Sequence, residues 1–120
     1  MTTTLTRKER LRTLGAIRRL FERGEGGFVY PFRYLLFAEA DTEPSVRLLF
    51  SVPKRYHKRA NKRNLLKRRM REAYRLNKEA IGSHSAAIDL ALIYSTKEVV
   101  SYAHLEKSIR KILAKVGEKV

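Results

Sequence analysis

Three histidines, His57, His84 and His104, are the side chains best suited to general acid–base attack on a phosphodiester, and they fall in three separate segments. A protein ribonuclease working by proton transfer needs paired His, or His with Glu or Lys, converging on one phosphate. Only His57 stands among basic residues, where it reads as a phosphate contact or a plain loop residue before it reads as a base; His104 reads as an ordinary helix residue. Metal catalysis is no better provided for, because Asp41 and Asp89 are isolated and no carboxylate cluster accompanies them. The absence of cysteine removes a disulfide framework, a thiolate metal site and a thiol nucleophile. No catalytic residue is assigned to this chain.

The chemistry the sequence does supply is phosphate binding. Lys54 to Arg75 holds 11 of the 27 Lys and Arg residues and one acid, Glu72, and so carries +10 of the formal +15. At 100° per residue, Leu66, Met70, Ala73 and Tyr74 share an apolar arc, while Asn64, Lys67, Arg68, Arg71 and Arg75 share the opposite one. One face packs and the other binds. Guanidinium groups make bidentate, charge-assisted contacts to phosphate, and Asn64 can donate and accept at a sugar or base edge. A solvated face held by i,i+4 ion pairs would need more acids than Glu72.

A chain of 120 residues with 43% hydrophobic content makes one domain with a modest core. Its pI near 10.6 favours a nucleic acid over an acidic small substrate. No apolar run approaches the roughly 20 residues of a membrane span, and Met1 to Leu14 lacks the hydrophobic core of a signal peptide. These features predict a soluble, cytoplasmic protein.

The elements that must position the basic face follow from periodicity. Residues 1–12 read as a basic, mobile arm in which Thr6 and Glu9 could form a capping box, and 13–117 as the single folded domain. Thr13 is an N-cap for Leu14, Ile17, Leu20 and Phe21, with Gly24 as the stop and Arg18, Arg19 and Arg23 on the outer side. Phe28 to Ala40 reads as extended chain divided at Pro31, with Phe32, Tyr34 and Leu36 on one face and Arg33, Leu35 and Phe37 on the other. Asp41 to Pro44 is a turn. Ser45 to Val52 alternates and is expected to form an antiparallel hairpin with the strand before it. A loop from Lys54 to Arg59 leads into a basic helix from about Ala60 to Ile81, stopped by Gly82. Ser83 to Ser85 links it to a continuous apolar strand, Ala86 to Tyr94, suited to a central place in the sheet. A final helix, about Lys97 to Lys115, presents Val100, His104 or Leu105, Ile109, Ile112 and Val116. The fold class is α+β, one small mixed sheet packed with three helices. The strand, helix, strand unit from Ser45 to Tyr94 could be parallel, and right-handed crossover is the general default for such a unit.

Arg63-Asn64, Lys67-Arg68 and Arg71-Glu72-Ala73-Tyr74-Arg75-Leu76, following Phe50-Ser51-Val52-Pro53-Lys54-Arg55, resemble the signature of the bacterial ribonuclease P protein subunit. The resemblance extends from Arg10-Leu11 through Leu20-Phe21-Glu22-Arg23-Gly24 to the final helix. Two positions depart from it: Leu65 stands where a third basic residue is common, with Arg68 or Arg69 able to compensate, and Ile17 stands where an aromatic is often found. The resemblance implies an αβββαβα-type sandwich with a left-handed strand–helix–strand crossover. It implies a protein cofactor that binds a catalytic RNA, RNase P RNA, and the 5′ leader of precursor tRNA, assisting endonucleolytic leader removal with Mg²⁺ held mainly by the RNA. It further implies a monomer in a 1:1 complex with that RNA.

By position in the resembled family, the RNA-binding residues are Lys54, Arg55, Arg63, Asn64, Lys67, Arg68, Arg71 and Arg75. The leader cleft, between the first helix and the sheet, would be floored by Phe21, Phe32 and Tyr34, with Arg33 beside it on a phosphate; each aromatic taken alone reads first as core. Two other classes compete. A structural RNA-binding protein of ribosomal type needs only the basic helix, and exposed aromatics in a cleft discriminate against it. A stand-alone nuclease would depend on His57.

Overall fold

The computed structural model describes residues 10–11, 13–40, 43–82 and 86–120. Thr13 opens α1 (Leu14–Arg23): its hydroxyl accepts from the Ala16 amide at 3.4 Å, and the Gly24 N–H closes the helix on the Leu20 carbonyl. β1 (Glu25–Val29) and β2 (Phe32–Glu39) form an antiparallel hairpin about Tyr30 and Pro31. β1 starts before the aromatic run because Gly26 and Gly27 belong to it. A Cβ on Gly27 would lie 2.3 Å from the Tyr34 ring, so the missing side chain is what admits that ring.

β3 (Ser45–Ser51), α2 (Ala60–Asn77), β4 (Ala87–Tyr94) and α3 (Tyr102–Lys119) complete the chain. The basic helix does not run unbroken to Ile81. Asn77 turns its amide back onto the Ala73 carbonyl at 2.7 Å, a local bond that competes with helix propagation, and Lys78–Ile81 tightens into a 3-10 turn ending at Gly82, φ +78°. α3 begins at Tyr102 and not at Lys97, because Ser101 caps it by accepting from the His104 amide at 3.2 Å. Of the two candidates for its inner face, Leu105 is buried and His104 exposed.

The sheet order is β1-β2-β4-β3, with β2–β4 antiparallel and β3–β4 parallel. The hairpin expected between β2 and β3 does not form. Ile88, Leu90, Ala91 and Leu92 of β4 are fully buried, and the strand with apolar residues on both faces takes the centre. β3 is left at the edge, and α2 makes the parallel crossover from β3 to β4.

Each sheet face has its own core. On one, Phe32, Tyr34, Leu36, Leu90, Leu92 and Tyr94 meet Leu66, Met70, Ala73 and Tyr74 of α2 and Leu105, Ile109, Ile112, Leu113 and Val116 of α3. The apolar arc of α2 is therefore the one its spacing predicts. A Cβ on Gly117 would lie 2.0 Å from the Ile81 carbonyl oxygen, which makes glycine the condition for seating α3 against the end of the basic helix. On the other face, Leu35 and Ala91 meet Leu20 and Leu11, flanked by Ile17, Phe37, Leu49 and Ile93. Arg10 and Leu11 lie along β3, the Leu11 amide donating to the Leu48 carbonyl at 2.9 Å. The capping box at Thr6 and Glu9, the turn residues Asp41 and Thr42, and the linker Ser83 to Ser85 lie outside the described residues.

α1 covers its face of the sheet incompletely. Of the stripe Leu14, Ile17, Leu20 and Phe21, only Leu20 is buried; Leu14 is 70% exposed and Phe21 52% exposed. Arg19, expected on the outer side, turns inward to Asp89 of β4.

Candidate nucleic-acid interface

The outer face of α2 displays Lys62, Asn64, Arg68 and Arg71 to solvent, with Lys67 and Arg69 half-buried at its margins. Neither Arg68 nor Arg71 has an ion pair among the described residues. Arg75 differs. Its Nη2 lies 2.6 Å from Glu72 Oε1, and this hydrogen bond holds the Glu72 carboxyl below the usual carboxylate range and the Arg75 guanidinium above its own. Leu65, at the departing motif position, is half-buried.

Arg63 is committed to the loop that precedes it. Its Nη1 donates to the His57 carbonyl at 3.1 Å and the Lys58 carbonyl at 2.7 Å. His57 is itself buried, 7% exposed, with Nε2 2.8 Å from the Thr96 carbonyl oxygen and its ring 5.5 Å from that of Tyr94. An imidazole with one nitrogen bonded to a backbone carbonyl and its ring packed in the core acts as a latch for the loop. The Tyr56 and His57 amides both donate to the Pro53 carbonyl, at 3.2 and 3.3 Å, so Lys54–Tyr56 forms a fixed turn. Lys54 and Arg55 project from it into solvent.

That turn is also one wall of an open cavity of about 490 Å³ lined by Phe21, Phe28, Arg33, Ser51, Pro53, Arg55, Tyr56, Ile93 and Ser95. It occupies the part of the α1 face that α1 leaves uncovered. Phe21 comes from the end of α1, Phe28 from β1 and Arg33 from β2, where Phe28 and Arg33 are cross-strand partners. The Arg55 guanidinium lies 5.0 Å from the Tyr56 ring centre at the rim. Phe21 and Phe28, 52% and 57% exposed, offer apolar ring faces beside two cations.

Phe32 and Tyr34 are not in this cleft. They are 0% and 5% exposed on the opposite sheet face, Phe32 edge-on to Tyr94 at 5.7 Å between ring centres. Period-two alternation puts Phe32, Tyr34 and Leu36 together and Arg33 with the other set; the sequence shows that division but not which set meets the larger helix pair. Phe28 and Tyr56 take their place as the aromatic lining. Phe28 was legible from the hairpin register about Tyr30 and Pro31, which places it opposite Arg33.

The donor set does not suit a divalent cation. Asp89 is 3% exposed, and both its oxygens are taken by Arg47, at 2.8 and 3.0 Å, with Arg19 a further 3.4 Å from Oδ2. Among the described residues no three His, Asp or Glu side chains group together, and the exposed surface near α2 is cationic. No helix among the described residues is long and apolar enough to cross a membrane.

Comparison with known proteins identifies the family and the fold. The family model described as Ribonuclease P matches residues 5–117. The ribonuclease P protein component of Porphyromonas gingivalis is 33% identical over 122 residues, spanning 97% of this chain and 88% of that protein. That of Chlorobaculum tepidum is 34% identical over 127 residues, spanning 93% and 82%. The RNase P protein of Thermotoga maritima superposes with a TM-score of 0.73 at 27% identity, covering 89% of this chain and 96% of that one. The Staphylococcus aureus RNase P protein, at 23% identity and a TM-score of 0.70 over 88% and 92%, shares the fold. The chain belongs to the ribonuclease P protein family, which makes it the protein component of the endoribonuclease that matures tRNA 5′ ends and implies RNase P RNA as its partner.

Proposed function

We propose that this chain binds its two RNAs on adjoining surfaces that meet at Arg55: RNase P RNA on the exposed face of α2 with Lys54 and Arg55, and the 5′ leader of precursor tRNA in the cleft of Phe21, Phe28, Arg33 and Tyr56. The observation that carries the reading is the cleft itself, in which two exposed phenylalanines and two guanidiniums, from α1, the β1–β2 hairpin and the turn after β3, surround one open cavity. Aromatic platforms beside a cationic groove suit single strands of any sequence, each stacked base contributing about 1–3 kcal/mol. Leaders of different tRNAs have no common sequence to read. A scaffold protein of ribosomal type would need the basic helix and no such platform.

On α2, Lys67, Arg68 and Arg71 supply charge on successive turns, about 5.4 Å apart along the axis, with Asn64 for a sugar or base edge. If about six phosphates are neutralised, the log–log salt slope is about −4 on single-stranded RNA and steeper on a duplex. Arg63 holds the Lys54–Arg59 loop so that one segment serves both surfaces, and Arg75 presents a guanidinium already oriented by Glu72. The protein supplies no catalytic group. It lowers RNA–RNA repulsion and fixes the leader, and Mg²⁺ belongs to the RNA; the complex is one protein to one RNA in the cytoplasm.

The test is cleavage of a 5′-extended precursor tRNA by the chain alone and with a bacterial RNase P RNA at limiting Mg²⁺. Stimulation that requires the RNA supports the cofactor role. Tight RNA binding without stimulation at any Mg²⁺ level would favour the scaffold reading, and cleavage by the protein alone that disappears in His57→Ala would favour a protein nuclease.

A further inference from the structure

Phe28 does not end the aromatic surface at the cleft. Its ring lies 6.5 Å from that of Tyr30 at an interplanar angle of 61°, and the Tyr30 ring lies 5.7 Å from that of His104. The three rings step from the α1 face of the sheet, around the turn of the β1–β2 hairpin, to α3. There a second cavity, of about 600 Å³, is lined by Val29, Tyr30, His104, Lys107, Ser108 and Lys111 together with Ala103. His104, Lys107 and Lys111 follow one stripe of the helix. Both lysines are exposed, and neither has an ion pair among the described residues.

Tyr30 is held in place from two sides. The Ser108 hydroxyl donates to its carbonyl at 2.6 Å, and its own hydroxyl donates to Glu98 at 3.0 Å, yet the residue remains 38% exposed. A fixed, half-exposed aromatic between an exposed phenylalanine and an exposed imidazole, with ammonium groups one and two turns further along, is the combination that tracks a single strand: stacking platforms beside phosphate partners. Glu98 is engaged by the Tyr30 hydroxyl, and no acid lines the cavity itself.

We propose that the leader path continues out of the cleft along this track, so that nucleotides beyond those filling the cleft stack at Tyr30 and His104 and set their phosphates on Lys107 and Lys111. This rests on the cleft being the leader site. The recognised chemistry is a single-stranded phosphodiester chain with no sequence preference, and the consequence is a dependence of affinity on leader length.

The experiment measures dissociation constants of the reconstituted ribonucleoprotein at fixed salt for mature tRNA and for precursors whose leaders grow one nucleotide at a time. The wild type should gain affinity as the cleft fills and then gain again, by at least about fivefold, the equivalent of one weakly stacked base. Tyr30→Ala should lose the second gain and keep the first. Lys107→Gln with Lys111→Gln, both at exposed positions with no packing role, should reduce the second gain and make what remains less salt-dependent. A wild-type affinity that stops rising once the cleft is filled, or variants that keep the whole long-leader gain, would overturn the track while leaving the cleft reading intact. A wild type that does not distinguish a short-leader precursor from mature tRNA would overturn the cleft reading and the track with it.

Discussion

Phe28→Ala and Phe32→Ala, four residues apart in one hairpin, should fail in opposite ways. Phe28 is 57% exposed and its ring is a wall of the cleft, so truncation removes a stacking surface and little packing. One stacked base is worth about 1–3 kcal/mol, which is about 5- to 150-fold in affinity. Exposed substitutions of this kind change stability by about 0.5 kcal/mol or less. Phe32 is fully buried against Tyr94, and a large-to-small change there costs about 3–5 kcal/mol. At about 3–5 °C per kcal/mol for a domain of this size, that lowers the melting temperature by about 10–25 °C. The assay pairs thermal melts of each variant with dissociation constants of the reconstituted holoenzyme for precursor and mature tRNA. Phe28→Ala should weaken the precursor selectively and melt like the wild type. Phe32→Ala should melt early and, where folded, bind both RNAs in the wild-type ratio. Equal losses on precursor and mature tRNA for Phe28→Ala, or selective precursor loss for Phe32→Ala, would refute the assignment of the two sheet faces.

Arg68→Ala and Arg71→Ala should each weaken binding to RNase P RNA and flatten the log–log salt slope by about 0.7–0.9; unchanged slopes would remove the outer face of α2 from the interface. Arg63→Ala strips hydrogen bonds from the His57 and Lys58 carbonyls and should cost about 1–2 kcal/mol in a thermal melt, and a wild-type melting temperature would show that Arg63 does not hold the loop. Burial raises the Tyr94 hydroxyl above its ordinary value, so its contribution to stability is intact below the usual tyrosine range of about 10 and is lost as pH rises through that range toward the folded value. Alkaline melts should therefore fall less steeply for Tyr94→Phe, and equal steepness would contradict this. With a formal charge of +15 on 120 residues, sulfate or phosphate should raise the melting temperature and the helical circular dichroism of the free protein by relieving self-repulsion; no response to either anion would reject that.

How far the sequence discloses these surfaces depends on which rule governs each residue. The packed arc of α2 was legible because helical period and charge segregation agree at Leu66, Met70, Ala73 and Tyr74, all buried. The caps at Thr13 and Gly24 and the central place of β4 were legible for similar local reasons. Strand order was not, because adjacency of β2 and β3 along the chain says nothing of the long-range competition that β4 wins. Phe32 and Tyr34, taken alone, read as core and are core; position in the resembled family put them in the cleft, and alternation could not correct it, because it divides a strand into two sets and only the packing of α2 and α3 decides which set is core. His57 and Arg19 were obscured differently. A histidine in a basic loop and an arginine on a helix look solvated until the partners that bury them, the Thr96 carbonyl and Asp89, arrive from β4 and the loop after it.

The central claim is that the two RNAs occupy different surfaces, and a chain without cysteine permits a direct test. Phe28→Cys and Arg71→Cys, each carrying a short photocrosslinker, would be assembled separately with RNase P RNA and a precursor tRNA. Crosslinks from position 28 should fall in the precursor leader and those from position 71 in the RNase P RNA. Position 28 crosslinking to RNase P RNA in place of the leader, or both positions marking the same RNA segment, would contradict the two-surface account.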